Sequence, residues 1–310
     1  MKQRQTLPDT EWQHITFTLP DSLWQLFKLN RFLLRHLSRL AARVIKKFAA
    51  QKKLLPGIFI ALHTFGRDLN WNVHVHASVT CGGISLDHTQ WKSCYFPKSA
   101  IMPMWRYQII RLLRKTFDQL QLPDNLQSLC PAKQQWNTWL NQQYQKTWIV
   151  HFAKRSENHS RNINYLGRYI KRPPLSQSRL QHYNGNVVVF SYLNHRTGQY
   201  QTASFDTQTF FERFTQHIPD KHFRMINYYG FLANRVRRQL LPTVYSLLNH
   251  TPKAVFNLRW PDLQKRSCGI DPLACILCGA PLRLASISTG LSIQQLRQHH
   301  RELALAKIIH

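Results

Sequence analysis

Two histidines separated by one residue, His74 and His76, are the clearest chemical signal in this sequence. They lie in segment 73–80, whose β-branched and alternating residues are typical of a strand. Side chains two residues apart on a strand leave the same face, so the two imidazoles would lie side by side. Such a pair can provide half of a metal site. From this motif alone, two hydrogen-bonded core histidines are the simpler interpretation, since the chain has 16 histidines.

A third histidine, His63, is expected opposite this pair. An apolar run ends at His63, and a turn centred near residues 68–69 would return the chain as a β-hairpin spanning 57–83. In that register His63 lies across the ladder from His74, close enough to be a third ligand beside His76.

A pair of tyrosines, Tyr165 and Tyr169, is the second signal. Good cap residues near Ser160 and the double proline 173–174 predict a short helix between them. A spacing of four puts both phenols on one face of that helix, away from its apolar stripe. Packing at the edge of the core is an equally weighted alternative. The neighbouring cations are Arg161, Arg168, Lys171 and Arg172.

A metal site and a tyrosine together can cleave DNA. Mg²⁺ or Mn²⁺ held by the imidazoles would polarise a phosphodiester and offset the charge that develops on it. A tyrosine hydroxyl would attack in line, the 3′-hydroxyl would leave, and the 5′ end would stay on the tyrosine. Because phenol has a pKa of about 10, Arg168, Lys171 or the metal must stabilise the phenolate. A second tyrosine would allow a second attack while the first holds a strand.

The charge of the chain indicates a polyanionic partner. Lys and Arg number 42 against 14 Asp and Glu, which gives a net charge of +28. Because self-repulsion at this charge opposes folding, a nucleic-acid backbone is the natural partner. An anionic membrane surface is the main rival. No apolar run of spanning length and no signal peptide is visible, so we expect a cytoplasmic protein without a membrane partner.

The elements that must position these residues form a mixed fold. Alternation and helical periodicity predict both strands and helices. Asn184-Gly185 is a strong hairpin signal. The predicted elements are strand 12–18, a helix up to 51 that divides near Asn30, hairpin 57–83, helices 104–120 and 134–144, strand 147–153, strands 178–183, 187–193 and 200–205, helix 207–217 capped by Asp206, strand 223–229 and helix 231–240.

Three further features have milder interpretations. The helix ending near residue 51 carries a basic face, for which solvation is favoured over a binding role. Trp136 and Trp139 are expected to be core residues and not base-stacking platforms. Cys275 and Cys278 form half of a zinc knuckle, to which Cys268 and either His299 or His300 could add ligands; zinc is left open. The basic face consists of Arg35, Arg39, Arg43, Lys46 and Lys47.

Together these segments resemble the rolling-circle transposases of the insertion sequence ninety-one family, which are HUH nucleases (His, hydrophobic residue, His). The resemblance extends from about Trp12 to Gly279. It implies an α+β fold, with an HUH-type antiparallel sheet flanked by helices, a helical insertion and a small C-terminal region. The motifs that carry it are V-H-V-H-A-S-V-T-C-G-G, Y-L-G-R-Y-I-K-R-P-P-L-S-Q-S-R-L, Y-Y-G-F-L-A-N and D-P-L-A-C-I-L-C-G.

The resemblance also implies an activity. Members nick single-stranded DNA at transposon ends and target, and transfer it through a covalent 5′-phosphotyrosine in rolling-circle transposition. His74 and His76 match the metal-binding pair, and Tyr165 and Tyr169 match the paired nucleophiles. The assignment of His63 as a third metal ligand rests on the hairpin geometry alone. A bacterial protein associated with the nucleoid is then expected.

The expected domains are an N-terminal stub 1–10, the nuclease domain 11–230 with its insertion at about 84–146, and a basic region 231–310. Family members usually carry a cysteine-rich zinc module before the first strand, and its absence predicts a truncated copy. Three alternatives remain: a plasmid replication initiator or relaxase with the same chemistry, an inactive DNA-binding remnant, and a zinc-ribbon adaptor.

Overall fold

A computed structural model describes residues 7–153, 173–194, 197–251, 259–275, 277–283, 294–295 and 298. The tyrosine helix predicted between 160 and 172 lies outside the described residues. By its internal contacts the chain divides into two compact units, Met1–Ala254 and Val255–His310. The sequence places a boundary after residue 230, but the helix that follows it packs on the main sheet and belongs to the first unit.

The strands of the first unit form two antiparallel sheets in the described residues. The main sheet has the order β5-β1-β3-β2-β9, with β4 paired to the far end of β3, and the smaller sheet has the order β6-β7-β8. The strands are β1 Trp12–Thr18, β2 Leu54–Phe65, β3 Trp71–Ser85, β4 Trp91–Ser93, β5 Val150–Phe152, β6 Leu180–Tyr183, β7 Val187–Leu193, β8 Tyr200–Asp206 and β9 Ile226–Gly230.

Helices flank these sheets, which confirms the predicted α+β class. Asp206 caps its helix as predicted, because its carboxylate accepts the backbone N–H of Thr209 at 2.8 Å. The helices are α1 Trp24–Leu29, α2 Leu34–Gln51, α3 Lys98–Lys115, α4 Asp124–Leu129, α5 Lys133–Gln142, α6 Thr207–Thr215, α7 Asn234–Leu247 and, in the second unit, α8 Trp260–Cys268.

The break between α1 and α2 falls at Asn30, as predicted. The buried Asn30 amide donates to the carbonyls of Leu26 at 2.9 Å and Gln121 at 2.7 Å, and it accepts the N–H of Gln121 at 2.8 Å. These bonds end α1 and attach this corner to the segment that follows α3.

Two helices differ from their predicted bounds because each contains a proline. Proline removes a backbone donor and usually ends a helix, yet α3 begins six residues before the predicted Met104 and includes Pro103. Similarly, α7 continues through Pro242 to Leu247 and not only to residue 240. In α7 the buried Leu241 and Val244 on either side of the proline pack on the sheet, and that packing outweighs the lost hydrogen bond.

The two faces of the main sheet are covered differently. Apolar side chains of β1 and β3, such as Phe17 and Val75, pack against α2 and α3 in the larger core. On the opposite face, Phe231 and α7 cover one end, where Phe59 lies. The remainder of this second face carries the histidines.

The smaller sheet and α6 form the predicted meander and helix. Phe190 of β7 packs with Phe210 and Phe214 of α6 and with Leu69, the residue at the tip of the β2–β3 hairpin. Leu69 is fully buried and has a φ of 63°. The hairpin tip is therefore anchored to the smaller sheet.

The second unit contains α8, which ends at Gly269 with a φ of 72°. None of the helices in the described part of the chain has the length and apolar character needed to cross a membrane.

Candidate active site

Three histidines converge on the open face of the main sheet. In the β2–β3 register His63 is paired with His74, which confirms the geometry predicted from the turn. Ring centroids are 4.7 Å apart for His74 and His76 and 4.8 Å for His63 and His76. One ligand nitrogen from each of the three lies within 4.8 Å of the others. A group of this kind could hold one metal ion.

Hydrogen bonds orient two of these rings. Nδ1 of His74 lies 2.9 Å from the carbonyl oxygen of Asn72, and Nδ1 of His76 lies 3.1 Å from the hydroxyl of Thr16. Because a carbonyl only accepts, Nδ1 of His74 carries the proton and Nε2 carries the lone pair that a metal takes. The Thr16 hydroxyl can accept in the same way from His76. Partners of this kind fix the tautomer and orientation of metal-binding histidines.

The third ring, His63, forms the floor of the site. It is buried, whereas His74 and His76 are half-buried. Its ring stacks on Phe65, with centroids 4.9 Å apart and an interplanar angle of 17°. A metal at this position would therefore have the buried His63 on its protein side, and its other side would face the pocket and a substrate.

A pocket of about 280 Å³ lies over the three rings. Two arginines contribute to its lining, Arg67 from the hairpin turn and Arg179 from the segment before β6, and none of the described residues that line it is a carboxylate. Arg179 is held firmly: its Nε donates to the carbonyl of Ser191 at 2.7 Å, and its guanidinium lies 5.6 Å from the Phe190 ring centroid. Imidazoles beside two guanidinium groups suit an anionic ligand such as a phosphodiester.

A buried histidine outside the pocket, His217, holds the hairpin that carries the site. Its Nδ1 accepts from the Thr64 hydroxyl at 3.1 Å, and its Nε2–H donates to the Leu69 carbonyl at 3.0 Å. Its ring stacks on Trp71, with centroids 5.9 Å apart. Burial, and then the nearby cations Arg31 and Lys28, lower the pKa of His217.

The predicted tyrosine residues are not placed by the structure. Tyr165, Arg168, Tyr169 and Lys171 lie outside the described residues, so their roles stay predictions. The described chain on either side is informative, because His151 of β5 and Pro174 both line the pocket. In the sequence, segment 154–172 thus falls between two residues of the pocket.

Four residues of the site were missed from the sequence: Thr16, His151, Arg67 and Arg179. Thr16 and His151 lie on strands that were predicted, and they are paired in the register of β1 and β5. The order of the strands would have been needed to find them. Arg179 lies in a quoted motif, just before β6, but its approach to the histidines depends on contacts between segments far apart in sequence.

The two tryptophans pack as expected. Trp136 is fully buried, its indole N–H donates to the Leu113 carbonyl at 3.2 Å, and its ring stacks on Trp139 at 5.1 Å.

The cysteine pair lies in the second unit. Backbone N–H groups of Cys278 and Leu277 lower the pKa of the Cys275 thiol. The Cys268 thiol donates to the Gln264 side chain at 3.3 Å. In the described part of the chain, the histidine trio is the one group of three or more possible metal ligands, so Cys268 does not complete this pair. His299 and His300 lie outside the described residues, and zinc here stays a prediction.

Comparison with known proteins gives one consistent description. Residues 57–239 match a family model described as "Putative transposase". The chain is 42% identical over 311 residues to the transposase for insertion sequence element IS801 of Pseudomonas savastanoi pv. phaseolicola, covering 99% of this chain and 75% of that protein. It is 31% identical over 257 residues to the putative transposase y4qJ of Sinorhizobium fredii (strain NBRC 101917 / NGR234), covering 79% of this chain and 64% of that protein. No solved structure matches.

Proposed function

The chain belongs to the putative transposase family, and we propose that it nicks and rejoins single-stranded DNA through a covalent 5′-phosphotyrosine. The observation that carries the proposal is the convergence of His63, His74 and His76 on one face of the sheet. In this proposal the family function, transposition, uses rolling-circle chemistry.

The donor set fits a divalent cation. Three imidazoles, two of them oriented through Nδ1, bring ligand nitrogens within 4.8 Å of one another, and none of the described residues that line the pocket is a carboxylate. A bound Mn²⁺ or Mg²⁺ would supply positive charge to the non-bridging oxygens of a phosphodiester. Arg67 and Arg179 add charge on the same wall and would hold the flanking backbone.

The nucleophile is assigned to Tyr165 or Tyr169. A phenol oxygen attacks phosphorus, the bond from phosphorus to the 3′-oxygen breaks, and the phenol proton ends on the released 3′-hydroxyl. One phosphodiester replaces another, so the strand can be rejoined without a nucleotide cofactor. Support comes from the described residues on either side of segment 154–172, since His151 and Pro174 both line the pocket. Arg168 and Lys171 would stabilise the phenolate.

A covalent-adduct assay tests this function. The protein is incubated with single-stranded oligonucleotides that carry the ends of its own element, with Mn²⁺, and resolved on a denaturing gel. We expect a slower-migrating adduct that EDTA abolishes, that His74→Ala abolishes, and that the Tyr165→Phe, Tyr169→Phe double variant cannot form.

The matched control is the Tyr183→Phe, Tyr200→Phe double variant, whose two phenols are exposed on the smaller sheet, 62% and 78% respectively. It should form the adduct at the normal rate. An adduct that persists in the Tyr165, Tyr169 double variant would exclude these nucleophiles. A wild-type protein that binds DNA but never forms an adduct would support the inactive-remnant alternative.

A plasmid replication initiator or relaxase would use the same chemistry. The family match and both relatives favour transposition over these alternatives, since each is described as a transposase.

A further inference from the structure

We propose that helix α2 forms a second DNA-binding surface, which holds the phosphate backbone of a DNA duplex on the side of the sheet opposite the histidine pocket. We call it the α2 surface. It stands whether or not the pocket cleaves DNA. Its members are the exposed cations Arg35, Arg39, Arg43, Lys46 and Lys47.

The fold separates the α2 surface from the pocket. Buried residues of α2, including Val44 and Ile45, pack in the same core as Val73 and Val75 of β3. Successive side chains of a strand point to opposite faces, so the histidines at 74 and 76 project from the other side. A strand bound in the pocket would have to pass round the edge of the sheet to reach α2.

Among the residues that the structure describes, no acidic side chain neutralises the α2 surface. Between Asp21 and Asp68 the sequence has ten Lys and Arg residues and no Asp or Glu. In the described part of the chain, the ion pairs use Arg31, Lys133 and Lys265, and none uses a cation of the α2 surface. An external anion is therefore the available partner.

Helix stability does not explain this arrangement. Residues 35, 39, 43 and 47 are four apart, and like charges at that spacing repel on a helix. Arg35 lies in the first turn of α2, where the helix dipole disfavours a cation. The same positive potential acts on His36, whose pKa is lowered by burial and then by Arg39 and Arg35. A row of cations that works against its own helix points to a binding role.

The geometry favours a duplex over a single strand. Successive members at four-residue spacing are about 6 Å apart, and the row from Arg35 to Lys47 is about 18 Å long. Rows of residues four apart are inclined by about 26° to the helix axis. A duplex presents one phosphate charge per about 1.7 Å of its axis, so such a rigid row can lie along its backbone. Single-strand surfaces add aromatic side chains on which bases stack. None of the large exposed hydrophobic residues in the described chain lies on α2.

The test compares two variants that remove the same charge from two helices. Arg39→Ala, Arg43→Ala changes the α2 surface, and Arg235→Ala, Arg238→Ala removes two exposed arginines of α7, which covers the opposite face. Binding is measured by fluorescence anisotropy with a blunt 20-base-pair duplex and with a single strand of equal length, from low to high salt.

The α2 variant should bind the duplex roughly tenfold or more weakly at 100 mM salt, with a salt slope smaller by about two. Its covalent adduct with a single strand, and the duplex affinity of the α7 variant, should be unchanged. Arg39→Lys, Arg43→Lys should restore duplex binding, because a backbone contact needs the charge and not the guanidinium shape. The melting temperature of the α2 variant should not fall below that of the wild type, because alanine favours a helix and the repulsion between the two arginines is removed.

Three results would overturn the proposal. If the α2 variant and the α7 variant lost duplex affinity equally, only the net charge of the protein would matter. A loss of single-strand adduct in the α2 variant would make this helix part of the nicking path. Failure of the lysine variant to restore duplex binding would exclude a backbone contact.

Discussion

Two spacings bring three imidazoles to one point. His74 and His76 share a strand face because of their two-residue spacing, and the hairpin register adds His63. Both relations are local in sequence, which is why they could be predicted. Thr16, which orients His76, could not be predicted, because the choice of β1 as the neighbour of β3 depends on contacts distant in sequence.

The Thr16 contact makes a prediction for metal affinity. Thr16→Val keeps the shape and strand preference of the side chain but removes the acceptor for Nδ1 of His76. We expect Mn²⁺ affinity to fall by roughly 10- to 100-fold. Isothermal titration with Mn²⁺ measures it; Mn²⁺ is the better probe of the two predicted ions, because Mg²⁺ strongly prefers oxygen ligands.

Two variants control for general effects at the pocket. Thr16→Ser keeps the hydroxyl and should bind Mn²⁺ nearly as wild type does. Thr18→Val changes a pocket threonine whose hydroxyl donates to the Ile149 carbonyl at 2.7 Å and not to a histidine. If Thr18→Val loses as much affinity as Thr16→Val, the hydrogen bond to His76 has no special role.

At the scale of elements, the sequence predicted strands better than helix ends. The bounds of β1 agree fully, and the turn at Gly185 has the positive φ of 95° that its Asn-Gly sequence indicates. The predicted start of α3 and the predicted end of α7 were wrong, because a proline usually interrupts a helix and only tertiary packing shows that it does not here. The strand predicted at 223–229 begins only at Ile226. Its start also depends on tertiary contacts, because pairing with β2 determines it.

The attachment of the hairpin tip through His217 predicts a pH dependence of stability. Burial lowers the pKa of His217 in the folded chain below its ordinary value of 6.5. When the pH falls below about 6.5, the unfolded chain takes up a proton that the folded chain does not. Stability is therefore complete above this pH and declines as the pH falls toward the lowered pKa.

Urea denaturation at several pH values between 5 and 7.5 measures this effect. His217→Gln keeps a donor and an acceptor but cannot titrate in this range, so its stability should depend less on pH than that of the wild type. His182→Gln, at an exposed position of β6, is the matched control and should leave the dependence unchanged. Parallel curves for wild type and His217→Gln would contradict this role of burial.

At the scale of the whole molecule, the two faces of the main sheet carry different groups: basic helix α2 covers one face, and the three histidines lie on the other. The net charge of +28 predicted a nucleic-acid partner, and the family membership agrees with it. Composition could not show that one cluster of cations lies behind the sheet on α2 while the histidines lie in front, because that depends on which residues each helix buries. We propose that the front cleaves a single strand and that the back holds a duplex.

Peptide mapping of the covalent adduct tests the central claim most directly. Trypsin cleaves after Arg161, Arg168 and Lys171, so Tyr165 and Tyr169 fall on separate peptides, 162–168 and 169–171. After nuclease trimming, mass spectrometry should find the remaining nucleotide on one or both of these peptides, and on neither after His74→Ala. A nucleotide attached to a peptide from any other part of the chain would contradict the account.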